Sequence, residues 1–412
     1  MLLTILSVLS GILLLYGMYY VTISVTAFLR LSKKVIPESD IKNKFKVIVA
    51  CRNEEKVIGK LIESLKKQNY PKDLYEICVI PNNCTDKTEE VAKNMGARII
   101  KCDFVTKCKG DALRQAFDIL SEEDFDAYAI FDADNVVHPN FLKRMNDAIE
   151  NGFEVAQGYR DTKNPSDNWI SGSYYLYYAM QNFFFNKARF NIHKSATING
   201  TGYMVKKDII SKYGFDTKTM TEDIEFTAQC AINNVKIGYV EDAITYDEQP
   251  IDFKASWKQR KRWSIGAHTC FKIYHKDLLK TLIKNKNISG LDLFMNFLSP
   301  VMQVIGTIVM LTLLIFRIKI TYNLGALTLV ALVQLTGLHI CLATYVLNVI
   351  LNIFLVIYDG KEITDVVTGI LLYTFFIITW IPINFISIFA KEAKWEEIKH
   401  TRCVDVSDIV KS

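Results

Sequence analysis

Residues 1–29, MLLTILSVLSGILLLYGMYYVTISVTAFL, carry no charge, and from about 294 to 390 the chain is again almost continuously apolar. Between the two blocks lies a mixed, charged stretch of the kind found in α/β domains. An apolar run of about 20 residues is long enough to cross a bilayer, so the pattern predicts a membrane protein with one large extramembrane domain. A cleaved signal peptide would need a cationic start and small residues at its cleavage site. The first block instead opens Met-Leu-Leu-Thr and runs into Phe28-Leu29-Arg30. Residues 1–30 are therefore expected to be an uncleaved transmembrane helix. Arg30, Lys33 and Lys34 follow it, which by the positive-inside rule puts the central domain in the cytoplasm.

The second block, 291–390, is harder to divide. The segments 294–316 and 363–390 each have the length of one crossing. A single helix over 324–358 would be about 50 Å long against a hydrocarbon core of about 30 Å. A tight hairpin or re-entrant pair is expected there instead. Lys391, Lys394, Lys399 and Arg402 favour a cytoplasmic tail over 391–412.

Nine cysteines show no regular spacing, and Cys102 and Cys108 have no histidine near enough to complete a zinc site. Reduced, mostly buried thiols fit the cytoplasmic placement. A net charge of +5 favours an anionic membrane face or a phosphorylated substrate; no nucleic acid partner is expected.

Over 45–250 the periodicity is α/β. KVIVAC (46–51), YEICVI (75–80), AYAIF (127–131) and FEVAQG (153–158) read as buried strands. Val57, Ile58, Leu61, Ile62 and Leu65 share one helical face, and Asp86 with Glu89 has the spacing of a capping box. Alternating strands and helices predict a mostly parallel sheet, whose ligands gather at the carboxyl ends of its strands. Cys51-Arg-Asn-Glu, Pro81-Asn-Asn and Asp132-Ala-Asp134 fall at those ends. Over 251–290, Phe253, Trp257, Trp263, Phe271, Tyr274, Leu278 and Leu282 recur at near-helical spacing. Lysines at 254, 258, 261, 272, 276, 280, 284 and 286 lie between them, a pattern of amphipathic helices in the membrane interface.

Three constellations offer chemistry, and each has a plainer reading. Asp132 and Asp134 can meet one hard cation, Mg²⁺ or Mn²⁺, that keeps places for diphosphate oxygens; aspartate is also common in turns after strands. Thr221-Glu222-Asp223 opens a helical stretch, where the macrodipole favours acidic residues; beside a nucleotide, such a carboxylate could act as a general base. Gln259, Arg262 and Trp263 lie at i, i+3 and i+4 on one helix face. They offer a guanidinium for diphosphate, an indole for a sugar ring and an amide for hydroxyls. The same stretch, SWKQRKRWSIG, also reads as a basic interfacial helix, and the residues alone leave both open.

Taken in order, ACRNEE, NNCTDKT, KGDAL, FDADN, NGTGYMV, TED and QRKRW resemble the membrane-bound family 2 glycosyltransferases, which include cellulose, hyaluronan and poly-N-acetylglucosamine synthases. The resemblance covers about 46–270 and the flanking membrane segments, and DxD, TED and QxxRW are specific in combination. It implies a GT-A nucleotide-sugar-binding domain, a Mg²⁺ or Mn²⁺ cofactor, and UDP-glucose or UDP-N-acetylglucosamine as donor. It further implies that Asp134, with Asp132 on the donor side, coordinates the metal and that Asp223 is the general base. Arg262 would hold the diphosphate, and Glu222, Gln259 and Trp263 the acceptor end. Asn53, Glu54 and Lys109 would line the uridine pocket, and Gly202, in the loop from Asn199 to Tyr203, would sit near the acceptor. Where the family usually has an aspartate pair, this chain has Asn82-Asn83. The Asn82 amide oxygen would then accept the uracil N3–H without charge. His138 receives no role.

The implied activity is inverting transfer onto a growing β-linked polysaccharide, with membrane lipids and accessory export proteins as partners. One alternative is the addition of a single sugar to a lipid acceptor. Another is an inactive scaffold or export component, against which the intact Asp132, Asp134, Asp223 and Arg262 argue.

Overall fold

The structure is a computed structural model that describes residues 2–30, 36–104, 106–285, 288–323, 327–390 and 400–410. Lys33, Lys34, Lys286, Lys391, Lys394 and Lys399 lie outside them. A first apolar helix, α1 (Leu2–Val25), precedes one eight-stranded sheet. Its strands are β1 (Phe45–Cys51), β2 (Tyr75–Pro81), β3 (Arg98–Ile99), β4 (Ala127–Asp132), β5 (Val136–Val137), β6 (Val155–Thr162), β7 (Tyr203–Lys206) and β8 (Ile237–Asp247).

The spatial order is β3-β2-β1-β4-β7-β6-β8-β5. β1 runs parallel to β2 and β4, β2 to β3, and β6 to β8, whereas β7 is antiparallel to β4 and β6, and β5 to β8. The expected mostly parallel α/β sheet is therefore present. Its inner strands are continuous apolar runs because both faces are covered; Val47, Ile48, Val49, Ala129, Ile130 and Phe131 are fully buried. Neither β7 nor β8 was legible as a strand. In β8 the pairing with β6 slips at Gly158/Tyr159, so Glu241 and Asp242 interrupt the period-two pattern.

Helices α2 (Ile58–Lys66), α3 (Thr88–Asn94), α4 (Lys109–Leu120) and α5 (Phe141–Glu150) pack into the sheet's core. The capping box expected at Asp86 and Glu89 does not form, because α3 starts at Thr88, one residue later than that motif requires. Asp86 instead accepts the N–H groups of Thr88 (3.0 Å) and Glu55 (3.1 Å), tying together the loops after β1 and β2, and Glu89 pairs with Lys101.

Next come α6 (Trp169–Met180), a π-helical segment (Gln181–Lys187), α7 (Ala188–Asn191), α8 (Lys207–Tyr213), α9 (Glu222–Ile232) and the long α10 (Phe253–Asn285). The apolar block forms α11 (Ile288–Asn323), α12 (Leu327–Tyr358), α13 (Ile363–Ile378) and α14 (Trp380–Phe389), and α15 (Val406–Val410) lies in the tail. Among the described residues four stretches are long and apolar enough to cross a membrane: Thr4–Leu29, Ile288–Ile315, Cys341–Tyr358 and Ile363–Phe389.

The hairpin or re-entrant pair expected over 324–358 is corrected to one unbroken helix, α12. It contains no proline and only Gly337 as a weak point, so nothing interrupts its backbone ladder. The 363–390 stretch is divided near Thr379, and its inner side is packed on the central domain. Gly172 of α6 and Gly369 of α13 meet backbone to backbone; a Cβ on Gly172 would lie 3.1 Å from the Gly369 Cα. Small residues at a helix crossing permit that approach. Fully buried Arg260 of α10 donates to the Phe376 carbonyl (3.2 Å) and to Thr379 Oγ1 (2.6 Å), and Ser264 donates to Asn384 (2.6 Å). Leu371, Phe375, Ile378, Phe385 and Phe389 stay exposed on the outer side.

Candidate active site

A cavity of about 580 Å³ opens at the carboxyl ends of β1, β2 and β4 and continues to α10, α11 and α14. β4 ends at Asp132, whose N–H donates to Thr201 Oγ1 (3.0 Å) and Asn135 Oδ1 (3.2 Å), holding the turn that carries Asp134. The Asp132 carboxylate accepts from Lys109, which also donates to the Gly200 carbonyl (2.7 Å) and lies 3.7 Å from Glu222. Buried Asp134 accepts the Glu248 N–H at 3.1 Å. Burial alone would raise its pKa, but His400, Lys163, that N–H and Arg160 bring it below the usual carboxylate range.

The three carboxylates in the first turn of α9 divide the roles that the motif left open. Glu225 accepts the N–H groups of Lys218 (2.8 Å) and Thr219 (2.7 Å) and the hydroxyl of Tyr274 (2.7 Å), so it fastens the helix start. Glu222 and Asp223 are left to face the cavity. Burial pushes Glu222 up to about 7 against the pull of Lys109. It also raises Asp223, against the Ile224 N–H, Lys109 and Arg160. A carboxylate raised toward neutrality suits general-base work at neutral pH.

Gln259, Arg262 and Trp263 form the facing wall. α10 is pressed onto the Thr221 loop at Gly266, where a Cβ would collide with Thr221. The Trp263 ring stacks on Trp380 (6.5 Å, 24°), which stacks on Tyr177 (5.9 Å, 21°). Gln259 Oε1 and Trp380 Nε1 are buried atoms with no hydrogen-bond partner among the described residues, on side chains that line the cavity. Lys258 and Lys261 are outside its lining.

On the sheet side Glu54 and Asn82 line the cavity beside Lys109. Burial raises Glu54 to about 6, although His400 opposes it. Asn82 Oδ1 accepts the Thr106 hydroxyl. Two expected residues are placed elsewhere. Asn53, at φ +58, turns its amide away to accept the Thr85 N–H (2.8 Å). Gly202, at φ +62, is a joint of the sheet: it donates to the Ile130 carbonyl (2.9 Å), accepts from Gly158 (2.8 Å), and has Thr245 where a Cβ would go. Gly200 is the loop glycine that reaches the cavity. His138 accepts the Asn140 N–H (3.2 Å) in its own turn.

Several lining residues were not singled out from sequence. Arg160 pairs with Asp247, which burial raises to about 6, and lies 4.2 Å over the Tyr178 ring. Glu248, Gln303, Trp380, Asn384 and His400 come from β8's end, the apolar block and the tail, with no short motif to mark them.

Asp132 and Asp134 present the hard oxygens that Mg²⁺ or Mn²⁺ takes. Among the described residues no three His, Cys, Asp or Glu side chains close into a cage.

The family described as "Glycosyltransferase like family 2" matches residues 43–266. The probable glycosyltransferase YdaM of Bacillus subtilis is 28% identical over 298 residues, 68% of this chain and 67% of its own. A β-monoglucosyldiacylglycerol synthase of Nostoc is 24% identical, over 60% of this chain and 54% of its own. The poly-β-1,6-N-acetyl-D-glucosamine synthase of Staphylococcus epidermidis is 23% identical, over 59% and 58%. The chain thus spans little more than half the length of those two synthases. Among solved structures, the mannosyltransferase PcManGT from Pyrobaculum calidifontis, in complex with GDP-Man and Mn²⁺, shares the fold. Its TM-score is 0.59 at 15% identity, covering 91% of this chain and 99% of that one.

Proposed function

The chain belongs to glycosyltransferase family 2, and on that premise we propose that it moves a sugar from a UDP-sugar, with inversion, to a growing β-linked polysaccharide at the membrane face. One observation carries the reading. Asp223 and the Lys109–Asp132 pair share a cavity with Gln303, Trp380 and Asn384 of the apolar helices, so the base stands between a donor pocket and a membrane-side acceptor path.

In this reading Asp223 takes the proton of the acceptor hydroxyl as its oxygen attacks the anomeric carbon. The bond to the diphosphate breaks, and Arg262 receives the charge that develops on the leaving UDP. One displacement on an α-linked donor yields a β-glycoside. Trp263 and Trp380 hold the acceptor ring in attack geometry, while Glu54 and Asn82 face the nucleotide. Mg²⁺ or Mn²⁺, held by Asp134 and Asp132, would neutralise diphosphate charge.

The same reading orders the apolar helices. α1, α11 and α12 cross the bilayer, and α13 and α14 lie along its cytoplasmic face with their outer side in lipid. The link from Ala390 to His400 can span no more than roughly 35 Å, and His400 is back at the cavity. Two crossings after the central domain then leave the tail cytoplasmic.

A panel of UDP-sugars scored by UDP release, followed by sizing of the labelled product, tests the proposal. A ladder or high polymer supports it. The second reading, one sugar added to a lipid, is favoured by the exposed apolar side of α14 beside the cavity; a single glycolipid of fixed size would establish it instead.

A further inference from the structure

β1 and β2 end side by side, with Cys51 in register with Pro81, and the loops that leave them are tied to one another. The Asn82 N–H donates to the Cys51 carbonyl (2.7 Å) and the Thr85 N–H to the Asn53 amide oxygen (2.8 Å). The Glu54 N–H donates to Thr88 Oγ1 (2.8 Å) and the Glu55 N–H to Asp86 (3.1 Å). Asn83, at φ +51, turns the second loop, and Cys84 follows with its Sγ 3.6 Å from the Cys51 carbonyl. Two thiols 33 residues apart in the chain are thereby held in hydrogen-bond contact.

Both thiols are free, and their surroundings differ. Cys51 is buried at the cavity wall, its Sγ directed at the Ile80 carbonyl (3.6 Å). Cys84 is only half-buried, so a small oxidant can reach it. The Cys51 thiol, opposed by burial and helped by the Asn53 N–H, brings the Cys84 pKa down to about 7. Cys84 in turn, and then burial, pushes Cys51 well up. Near neutrality one sulfur of the pair is therefore substantially thiolate while the other keeps its proton. An accessible low-pKa thiol poised next to a second thiol is the arrangement of peroxide-reactive cysteines.

We propose that Cys84 and Cys51 are an oxidation site that closes to a disulfide under peroxide and loosens the donor edge of the cavity. The Cys84 thiolate attacks hydrogen peroxide, the O–O bond breaks, and the sulfenic acid and hydroxide form. The Cys51 sulfur then attacks the Cys84 sulfur; the S–S bond forms and the sulfenic oxygen leaves as water with the Cys51 proton. The two thiols give up two electrons and peroxide takes them. The bond draws sulfurs in contact to about 2.05 Å, which shifts the loop of Asn82 against the loop of Glu54. Those two side chains face the nucleotide in the reading above. The effect on the donor rests on that reading; the thiol chemistry does not.

The test treats the full-length protein in detergent with hydrogen peroxide and caps the remaining thiols with N-ethylmaleimide. Intact mass, a tryptic peptide map and UDP affinity in MnCl₂ are then read. The expected result is the loss of two hydrogens, assigned to Cys51 and Cys84 by fragmentation, because Cys78 shares the tryptic peptide 73–87 with Cys84. UDP binding should weaken about tenfold, the worth of one displaced hydrogen-bond partner, and recover in dithiothreitol. In Cys51→Ala and Cys84→Ser peroxide should produce neither the bridge nor the change in UDP affinity. Peroxide that leaves both thiols open to alkylation overturns the proposal, as does oxidation of Cys84 to the sulfinic acid without a bridge. A bridge that leaves UDP affinity unaltered overturns it too. A reduced chain that binds no UDP would reject the donor-site reading, and the peptide map would still decide the disulfide.

Discussion

Gly200 passes beneath Asp223 so closely that a Cβ on it would stand 3.2 Å from the carboxylate oxygen Oδ2. Its φ of +87 is also one that side-chain-bearing residues rarely adopt. The loop backbone is thus a floor for Asp223, the proposed base. Gly200→Ala is expected to lower kcat about tenfold or more, since small misplacements of a reacting group are costly, with UDP affinity little changed. Kinetics alongside a UDP titration would check this, and an unaltered kcat would place the loop outside the reaction.

Asp223→Asn keeps the shape of the proposed base and removes its proton affinity. Transfer should fall by about 10²- to 10⁴-fold while UDP and Mn²⁺ still bind. Full turnover in this variant would remove Asp223 as the base.

The pH profile follows from the same site. A general base works only when ionised, and burial raises Asp223, so if it is the base as proposed, activity is lost on acidification and lost at higher pH than an ordinary carboxyl would give. Lys109 opposes the rise in both Asp223 and Glu222. In Lys109→Met both carboxyls move further up, and the acidic limb of kcat against pH should move to higher pH. A limb that stays in place would mean that Lys109 does not act on the base.

Trp380 stacks on Trp263 at the proposed acceptor end of the cavity. Trp380→Ala should raise the KM of a saccharide primer or shorten the product, with the donor KM near its original value. Equal loss at both substrates would argue for a general structural role.

Arg260 and Lys261 are adjacent in the basic run, yet only Arg260 is fully buried. Arg260→Ala takes the donor from Thr379 Oγ1 and one of two donors from the Phe376 carbonyl, which still accepts from the Thr379 hydroxyl, and should cost about 2 kcal/mol or more. Lys261→Ala should stay within about 0.5 kcal/mol. Thermal unfolding of both variants in the same detergent distinguishes them, and equal midpoints would show that Arg260 does not clamp α10 to α13.

What the sequence determined by itself is what depends on near neighbours in the chain. Apolar runs announced β1, β2, β4 and the bilayer-length helices, and their order announced a mostly parallel sheet. The spacing in FDADN, TED and QRKRW brought Asp132, Asp134, Asp223, Gln259, Arg262 and Trp263 to attention, and all of them line one cavity. Side-chain direction was beyond it. Asn53 and Gly202 carry the right spelling but turn elsewhere, because a positive φ aims the first at Thr85 and sheet pairing buries the second. The split of labour in the first turn of α9 needed the Lys218–Thr219 backbone to claim Glu225. The unbroken α12 overrode a length argument that assumed a helix must match the bilayer. Trp380, Asn384 and His400 lie more than a hundred residues from the motifs they join. No local pattern marks them, because only the packing of α13 and α14 on α6 and α10, and the docking of the tail on Glu54 and Glu248, brings them to the site.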